Sequence, residues 1–272
     1  MTAAAPPVRR MRLADGVRRH TITIYAFLAL AYLMLPVAIV ILFSFNDKAG
    51  KFNFVWNGFT LKYWRNAFGV PGLFDTLLTS LRVALISSLV ATILGTLIAL
   101  ALIRYRYRGR ASTNILIFLP MATPEVVMGS SLLALFLTFR IQTGFSTIVI
   151  AHILFIISFV VVTVKARLAG FDRHLEEAAM DLYADEWTTF RKVTLPMIMP
   201  GVFAAFLLGF ALSFDDFIIT NFNSGQVVTF PLYIWGAARV GVPPQVNVFA
   251  TALFGVAVAM MCLSIWAQKK RR

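Results

Sequence analysis

One cysteine, Cys262, stands in 272 residues, so an internal disulfide is excluded. The three histidines, His20, His152 and His174, are far apart, and no Cys/His cluster has the spacing of metal ligands, so no metal site is expected. Charged residues make up only 14% of the chain, where a soluble domain carries about 25%. A GxxxxGK[ST] phosphate loop is missing, which argues against ATP hydrolysis on this chain by that route. Gly-x-Ser-x-Gly and His-Glu-x-x-His are missing too, and with them the usual marks of a hydrolase. There is no low-complexity segment and no clear internal repeat.

Apolar residues are abundant: 59% of the chain, with a mean hydropathy of +0.80. Soluble domains are about 45–50% apolar, so the composition is that of an integral membrane protein. A helix needs about 20 apolar residues to cross the hydrocarbon core. Six runs qualify: roughly 22–45, 77–103, 114–138, 146–166, 197–221 and 246–267. The first is too long for the apolar core of a signal peptide and is read as a span. The expectation is an all-α polytopic protein: a tail over 1–20, a six-helix domain over 21–268 and a basic tail over 269–272.

The positive charge, a net +13, is distributed unevenly. Arg9, Arg10, Arg12, Arg18 and Arg19 precede the first span, and Arg104, Arg106, Arg108 and Arg110 follow the second. Lys165, Arg167, Arg173, Arg191 and Lys192 follow the fourth, and Lys269, Lys270, Arg271 and Arg272 end the chain. The opposite loops hold only Lys48, Lys51, Lys62, Arg65, Arg140 and Arg239. Cytoplasmic loops are the Lys/Arg-rich ones, so both termini are expected inside, and the charge reports topology rather than nucleic-acid binding.

Two acids interrupt the fifth run, FALSFDDFIIT. A charge at the centre of a membrane helix costs about 2.5–3.5 kcal/mol on insertion scales. If the helix runs through, Asp215 and Asp216 point about 100° apart. Asp216 then shares a small, polar stripe with Gly209, Ser213, Thr220 and Asn223, which suggests a wet pathway. Asp215 shares an apolar one with Leu208, Ala211, Leu212, Ile218, Ile219 and Phe222, which suggests its edge or a neighbouring helix. A pair that merely orders the helices is the plainer reading of both. Glu125 follows Pro120 and Pro124 in the third run. Thr123, Pro124 and Glu125 read as N-cap, N1 and N2 of a restarting helix, with Glu125 either a first-turn acid or a second pathway carboxylate. His152, alone in an apolar run, reads as a hydrogen-bonded core residue.

The loop over 167–196 is the long inner one. Asp172 is a reasonable N-cap. Leu175, Ala178, Ala179 and Leu182 form one apolar stripe, with Glu176, Glu177 and Asp181 off it. A turn near Tyr183 and Ala184 leads to a second short helix that Asp185 can cap and Pro196 stops. From the residues alone this is either a surface hairpin or a docking element.

The segment EEAAMDLYADEWTTFRKVTLPMIMP resembles the "EAA" loop of ABC importer permeases, matching at Glu177, Ala178, Ala179, Val193, Leu195 and Pro196. Tyr183 stands where that family has glycine. The resemblance extends over roughly 20–268, and SFDDFIITNFNSG and PLYIWGAARVGVPPQVN bring it nearest the spermidine/putrescine branch. It implies a permease subunit in the bacterial inner membrane, surrounded by lipid. The implied partners are a second permease subunit, two ATPase subunits that bind ATP and Mg, and an extracytoplasmic binding protein. No cofactor is implied on this chain. For amine cargo, Asp216, Asp215 and Glu125 would offset the desolvation of an ammonium. Phe214, Phe217 and Trp235 would add cation–π contacts of about 0.5–2 kcal/mol each or serve as plain core. Loops 46–76 and 222–245 would meet the binding protein, with Trp56, Tyr63 and Trp64 either contacts there or anchors at the membrane interface. Rival readings are a permease for another small solute, a self-sufficient secondary transporter or cation channel relaying charge through the three acids, and, more distantly, an assembly protein.

Overall fold

The computed structural model describes residues 13–105, 107–172 and 174–270. Arg9, Arg10, Arg12, Arg106, Arg173, Arg271 and Arg272 of the charge pattern lie outside the described residues. The described residues are helical, with no strand among them and a single isolated bridge, Asn46 to Phe59. Five helices are long and apolar enough to cross a membrane, or six if one bent pair counts as a span. The chain divides into two compact units, residues 71–239 and the segments before and after them.

The first unit holds α1 (Leu13–Phe43), the short α2 (Lys62–Arg65) and α12 (Pro244–Lys270). α1 exposes Ile22, Phe27, Leu30, Leu33 and Leu42 along its length, as expected of a helix whose solvent is lipid. The loop after it is tied by Asn46, which is fully buried. Its Nδ2 donates to Asn53 Oδ1 at 2.6 Å and Val55 O at 2.7 Å, and its Oδ1 accepts from Asn57 N–H at 2.8 Å.

In the second unit α3 (Leu73–Arg104), α6 (Phe145–Ala169) and α9 (Leu195–Phe214) hold the core. α3 buries Ala84, Ser87, Ser88, Ala91, Thr92, Gly95, Thr96 and Ala99, a ladder of small residues. Between membrane helices such ladders permit close backbone approach, the main source of packing energy there. A Cβ on Gly95 would stand 2.6 Å from Val160 Cγ1, and one on Gly209 2.6 Å from Ile156 Cγ2. The three helices meet where side chains are absent.

The third run is not one straight span. α4 (Arg110–Ala122) and α5 (Glu125–Thr138) meet at a bend of 106°. Pro124 forces the preceding Thr123 to extend, at φ −80°, ψ 131°. Pro124 holds the N-cap position and Glu125 is the first helical residue, one step from the expected register. Thr123 does not cap α5: its hydroxyl donates backward to Leu119 O at 2.7 Å.

The fifth run departs at both ends. Pro196 does not stop the second helix of the loop. α8 (Glu186–Thr189) passes through a π-turn at Phe190–Thr194 into α9. Proline has no N–H, and its ring clashes with the carbonyl four residues back. The wider turn, closed by Leu195 N–H to Phe190 O, makes room for that ring. At the other end the helix finishes at Phe214, not 221, and a new one, α10 (Ile218–Asn223), starts after three residues. α11 (Phe230–Val240) follows, and its first N–H is received by Ser80 Oγ at 2.8 Å.

Candidate functional site

Asp215 and Asp216 sit in the gap between α9 and α10 rather than within a helix. That gap reverses the surroundings expected of them. Asp216 is only 8% exposed and points into the unit, not onto a wet face. Its Oδ2 accepts from Thr220 N–H at 2.8 Å and Thr220 Oγ1 at 2.7 Å, and its Oδ1 from Ile219 N–H at 3.3 Å. The carboxylate therefore caps α10, supplying acceptors to donors that a helix start leaves orphaned. His152 Nε2 lies 3.2 Å from Asp216 Oδ2 and 2.9 Å from Thr220 Oγ1, and His152 Nδ1 lies 2.7 Å from Ser213 Oγ. The polar stripe expected through Asp216 is real: Gly209, Ser213, Thr220 and Asn223 are all buried. It meets α6 and α5 instead of water. Asn223 Nδ2 donates to Gly129 O at 3.2 Å, which joins α10 to α5.

Asp215 is exposed. It opens on a pocket of about 510 Å³ lined with Phe214, Phe217, Phe230, Ile234 and Trp235. Its carboxylate enters none of the ion pairs found among the described residues. Phe217 and Trp235 stand 4.9 Å apart between ring centroids, and the Arg239 guanidinium lies over Trp235 at 5.6 Å. The indole face thus already accepts a cation. Glu125 is exposed at the start of α5. Asp215 and Asp216 share the gap, and the three expected aromatics join Asp215 rather than Asp216.

The second candidate region is the hairpin that follows α6. α7 (His174–Asp181) starts with His174 N–H donating to Asp172 Oδ1 at 3.1 Å, the expected cap. Its end is a left-handed turn at Tyr183, φ +63°. Tyr183 N–H donates to Met180 O at 2.9 Å and Ala184 N–H to Ala179 O at 3.1 Å, the paired bonds of a Schellman cap. Glycine is the usual occupant of that conformation because a Cβ costs about 1–2 kcal/mol there. The tyrosine bears this strain with its side chain 100% exposed, beside exposed Leu182 and Trp187.

The apolar stripe of α7 is as expected. Leu175, Ala178, Ala179 and Leu182 line an open groove of about 420 Å³ with Lys192, Val193 and Pro196. Leu195 packs on the core. Glu177 and Glu186 line a hollow on the other side, and Asp181 is exposed. Glu176 is not left to solvent: it pairs with Arg104 at the end of α3 and accepts from the Thr194 hydroxyl. Arg104 and Thr194 escaped the sequence reading because 72 and 18 residues separate them from Glu176. His152 is a core residue as expected, and its three partners, Ser213, Thr220 and Asp216, are not evident from its place in the sequence. The signal is there: a histidine deep in a largely apolar α6 needs polar partners on another helix, and Ser213 and Thr220 are such residues.

Residues 91–268 match the model of the family described as binding-protein-dependent transport system inner membrane component. The chain is 42% identical over 235 residues to the spermidine/putrescine transport system permease protein PotC of Escherichia coli strain K12, covering 86% of this chain and 88% of that one. It is 35% identical over 257 residues to the putrescine transport system permease protein PotI of the same organism, covering 90% of each. Among solved structures, a bacterial ABC transporter involved in the import of the acidic polysaccharide alginate superposes with a TM-score of 0.67 at 14% identity. That match covers 96% of this chain and 99% of the other. An alginate ABC transporter in complex with an alginate pentasaccharide-bound periplasmic protein gives 0.63 at 15% identity, covering 92% and 94%.

Proposed function

The chain belongs to the family of binding-protein-dependent transport system inner membrane components, and from that premise we propose that its cargo is a polyamine. It is a multi-pass inner-membrane permease subunit of an ABC importer. The observation that carries the cargo reading is Asp215, an exposed carboxylate without an ion-pair partner among the described residues, at a helix break and beside four aromatic rings. Non-helical backbone at membrane depth is tolerated where it lines a cavity or is buried in protein, and helix breaks mark transporter binding sites. An ammonium leaving water needs a negative group and is helped by ring faces, and this pocket offers both. The names of the two polyamine permeases support the same reading.

In this reading both termini lie in the cytoplasm, as the distribution of Lys and Arg favours, and the hairpin faces an ATPase. Its exposed Leu182, Tyr183 and Trp187 and the groove beside α7 form the docking surface. The Glu176–Arg104 pair and Thr194 carry its movement to α3 and α9. A second permease subunit completes the pathway, an extracytoplasmic binding protein delivers cargo, and ATP with Mg is bound by two ATPase subunits.

The test is reconstitution with those partners. ATPase stimulation and uptake are measured with spermidine, putrescine and a neutral diol of matched length. Stimulation by the amines alone is expected. Equal stimulation by the diol would refute the cargo reading, and uptake by this chain alone in liposomes would refute the importer.

A further inference from the structure

The local device at the gap between α9 and α10 is the Asp216 cap, and none of the usual helix breakers accompanies it. Breaks usually arise at proline, at glycine or serine pairs, at π-bulges or at an inserted side chain. Residues 210–223 contain neither proline nor glycine. The side chains that hold the gap are the ones described, and of these His152 alone comes from another helix, α6.

His152 is 1% exposed in α6. One imidazole reaches both sides of the gap: Nδ1 to Ser213 on the last turn of α9, Nε2 to Thr220 on the first turn of α10 and to Asp216 just before it. The hydrogen bonds fix its tautomer. The Thr220 hydroxyl gives its proton to Asp216 Oδ2 at 2.7 Å. It meets Nε2 with lone pairs only, and so does the carboxylate, so Nε2 carries a proton. Ser213 faces Nδ1 with a hydroxyl that can donate or accept.

We propose that His152 is a positioning residue for transport: it clamps the end of α9 to the start of α10 and so holds Asp215 turned into the pocket. Without the clamp the segment is free to continue as a helix. Each residue then turns by about 100°, and Asp215 leaves its present direction. The inference rests on the cargo role proposed for Asp215, but its effect on geometry can be read without it.

The experiment uses the full complex in a Cys262→Ser background, with His152→Leu, which nearly keeps volume, and His152→Gln, which keeps a donor near Nε2. Asp215→Cys reports geometry through its labelling rate with a water-soluble thiol reagent. Labelling should fall about tenfold with His152→Leu and return to within about threefold with His152→Gln, as a conservative donor restores a lost hydrogen bond. Uptake per ATP hydrolysed is then read for His152→Leu, Asp215→Asn and the double variant. Residues acting as a unit are non-additive, so the double variant should be no worse than the poorer single one. Unchanged labelling, no rescue by glutamine, or losses that multiply would each overturn the proposal. If His152→Leu fails to assemble, Ser213→Ala with Thr220→Val removes the partners and must reproduce the loss of labelling. Parental uptake by Asp215→Asn would overturn the cargo role of Asp215, while labelling would still decide the clamp.

Discussion

Replacing Asp216 by asparagine should damage the fold before it damages transport. The carboxylate accepts from two backbone N–H groups, one hydroxyl and the His152 ring. Asparagine keeps one acceptor oxygen and turns the other into a donor. Placed at Oδ1, the amide nitrogen faces Ile219 N–H at 3.3 Å; placed at Oδ2, it faces Thr220 N–H, the Thr220 hydroxyl and Nε2–H. Either choice leaves at least one buried donor against another. Bonds to charged groups contribute about 1.5–3 kcal/mol each, and an orphaned buried group costs about 1–3 kcal/mol. A loss of roughly 2–4 kcal/mol follows for Asp216→Asn, and about 3–5 kcal/mol for Asp216→Ala, the usual cost of breaking a buried pair. Thermal unfolding of the solubilised protein gives the size of the effect. Amide hydrogen exchange should show it concentrated at Ile219 and Thr220. A variant that unfolds like the parent and assembles normally, yet carries no amine, would refute this reasoning and return Asp216 to the pathway.

Tyr183→Gly should be neutral to stabilising: relief of the left-handed strain, about 1–2 kcal/mol, exceeds the extra unfolded entropy of glycine, about 0.4–1 kcal/mol. Exchange at positions 183 and 184 should slow, and weaker capture of the ATPase would show that the tyrosine ring itself is needed for docking. At the start of α7, Asp172 holds the His174 imidazole above the usual histidine range and is itself held below the carboxylate range. The histidine's contribution is full below its unfolded pKa and is lost as pH rises through the folded one. The aspartate's is present above its unfolded pKa and is lost as pH falls through the folded one. The start of α7 should therefore be best ordered between the two folded pKa values. Asp172→Asn should lower the His174 midpoint in an NMR titration, and an unchanged midpoint would exclude the pair.

The membrane helices were legible because lipid demands long apolar runs, and a soluble fold seldom carries runs of that length. The hairpin was legible because Asp172, the small stripe of α7 and the turn at Tyr183 are local signals. The broken third span could be read from Pro120 and Pro124. The break after Phe214 could not, because residues 210–223 contain neither proline nor glycine and the ring that meets Ser213 lies 61 residues away in His152. Treating residues 197–221 as one helix grouped the right polar residues but placed the wrong aspartate toward water. Pro196 misled for a related reason: a proline usually ends a helix, and only the π-turn before it lets this one continue.

The most direct test of the account is uptake by the assembled importer carrying Asp215→Asn. A carboxylate about 4 Å from a cation contributes up to about 4 kcal/mol at an effective dielectric of 20, and partial exposure reduces this. The account predicts uptake of spermidine lowered at least about tenfold, a loss of about 1.4 kcal/mol, with assembly and the stimulation of ATP hydrolysis by the binding protein retained. Parental spermidine uptake by that variant would contradict it.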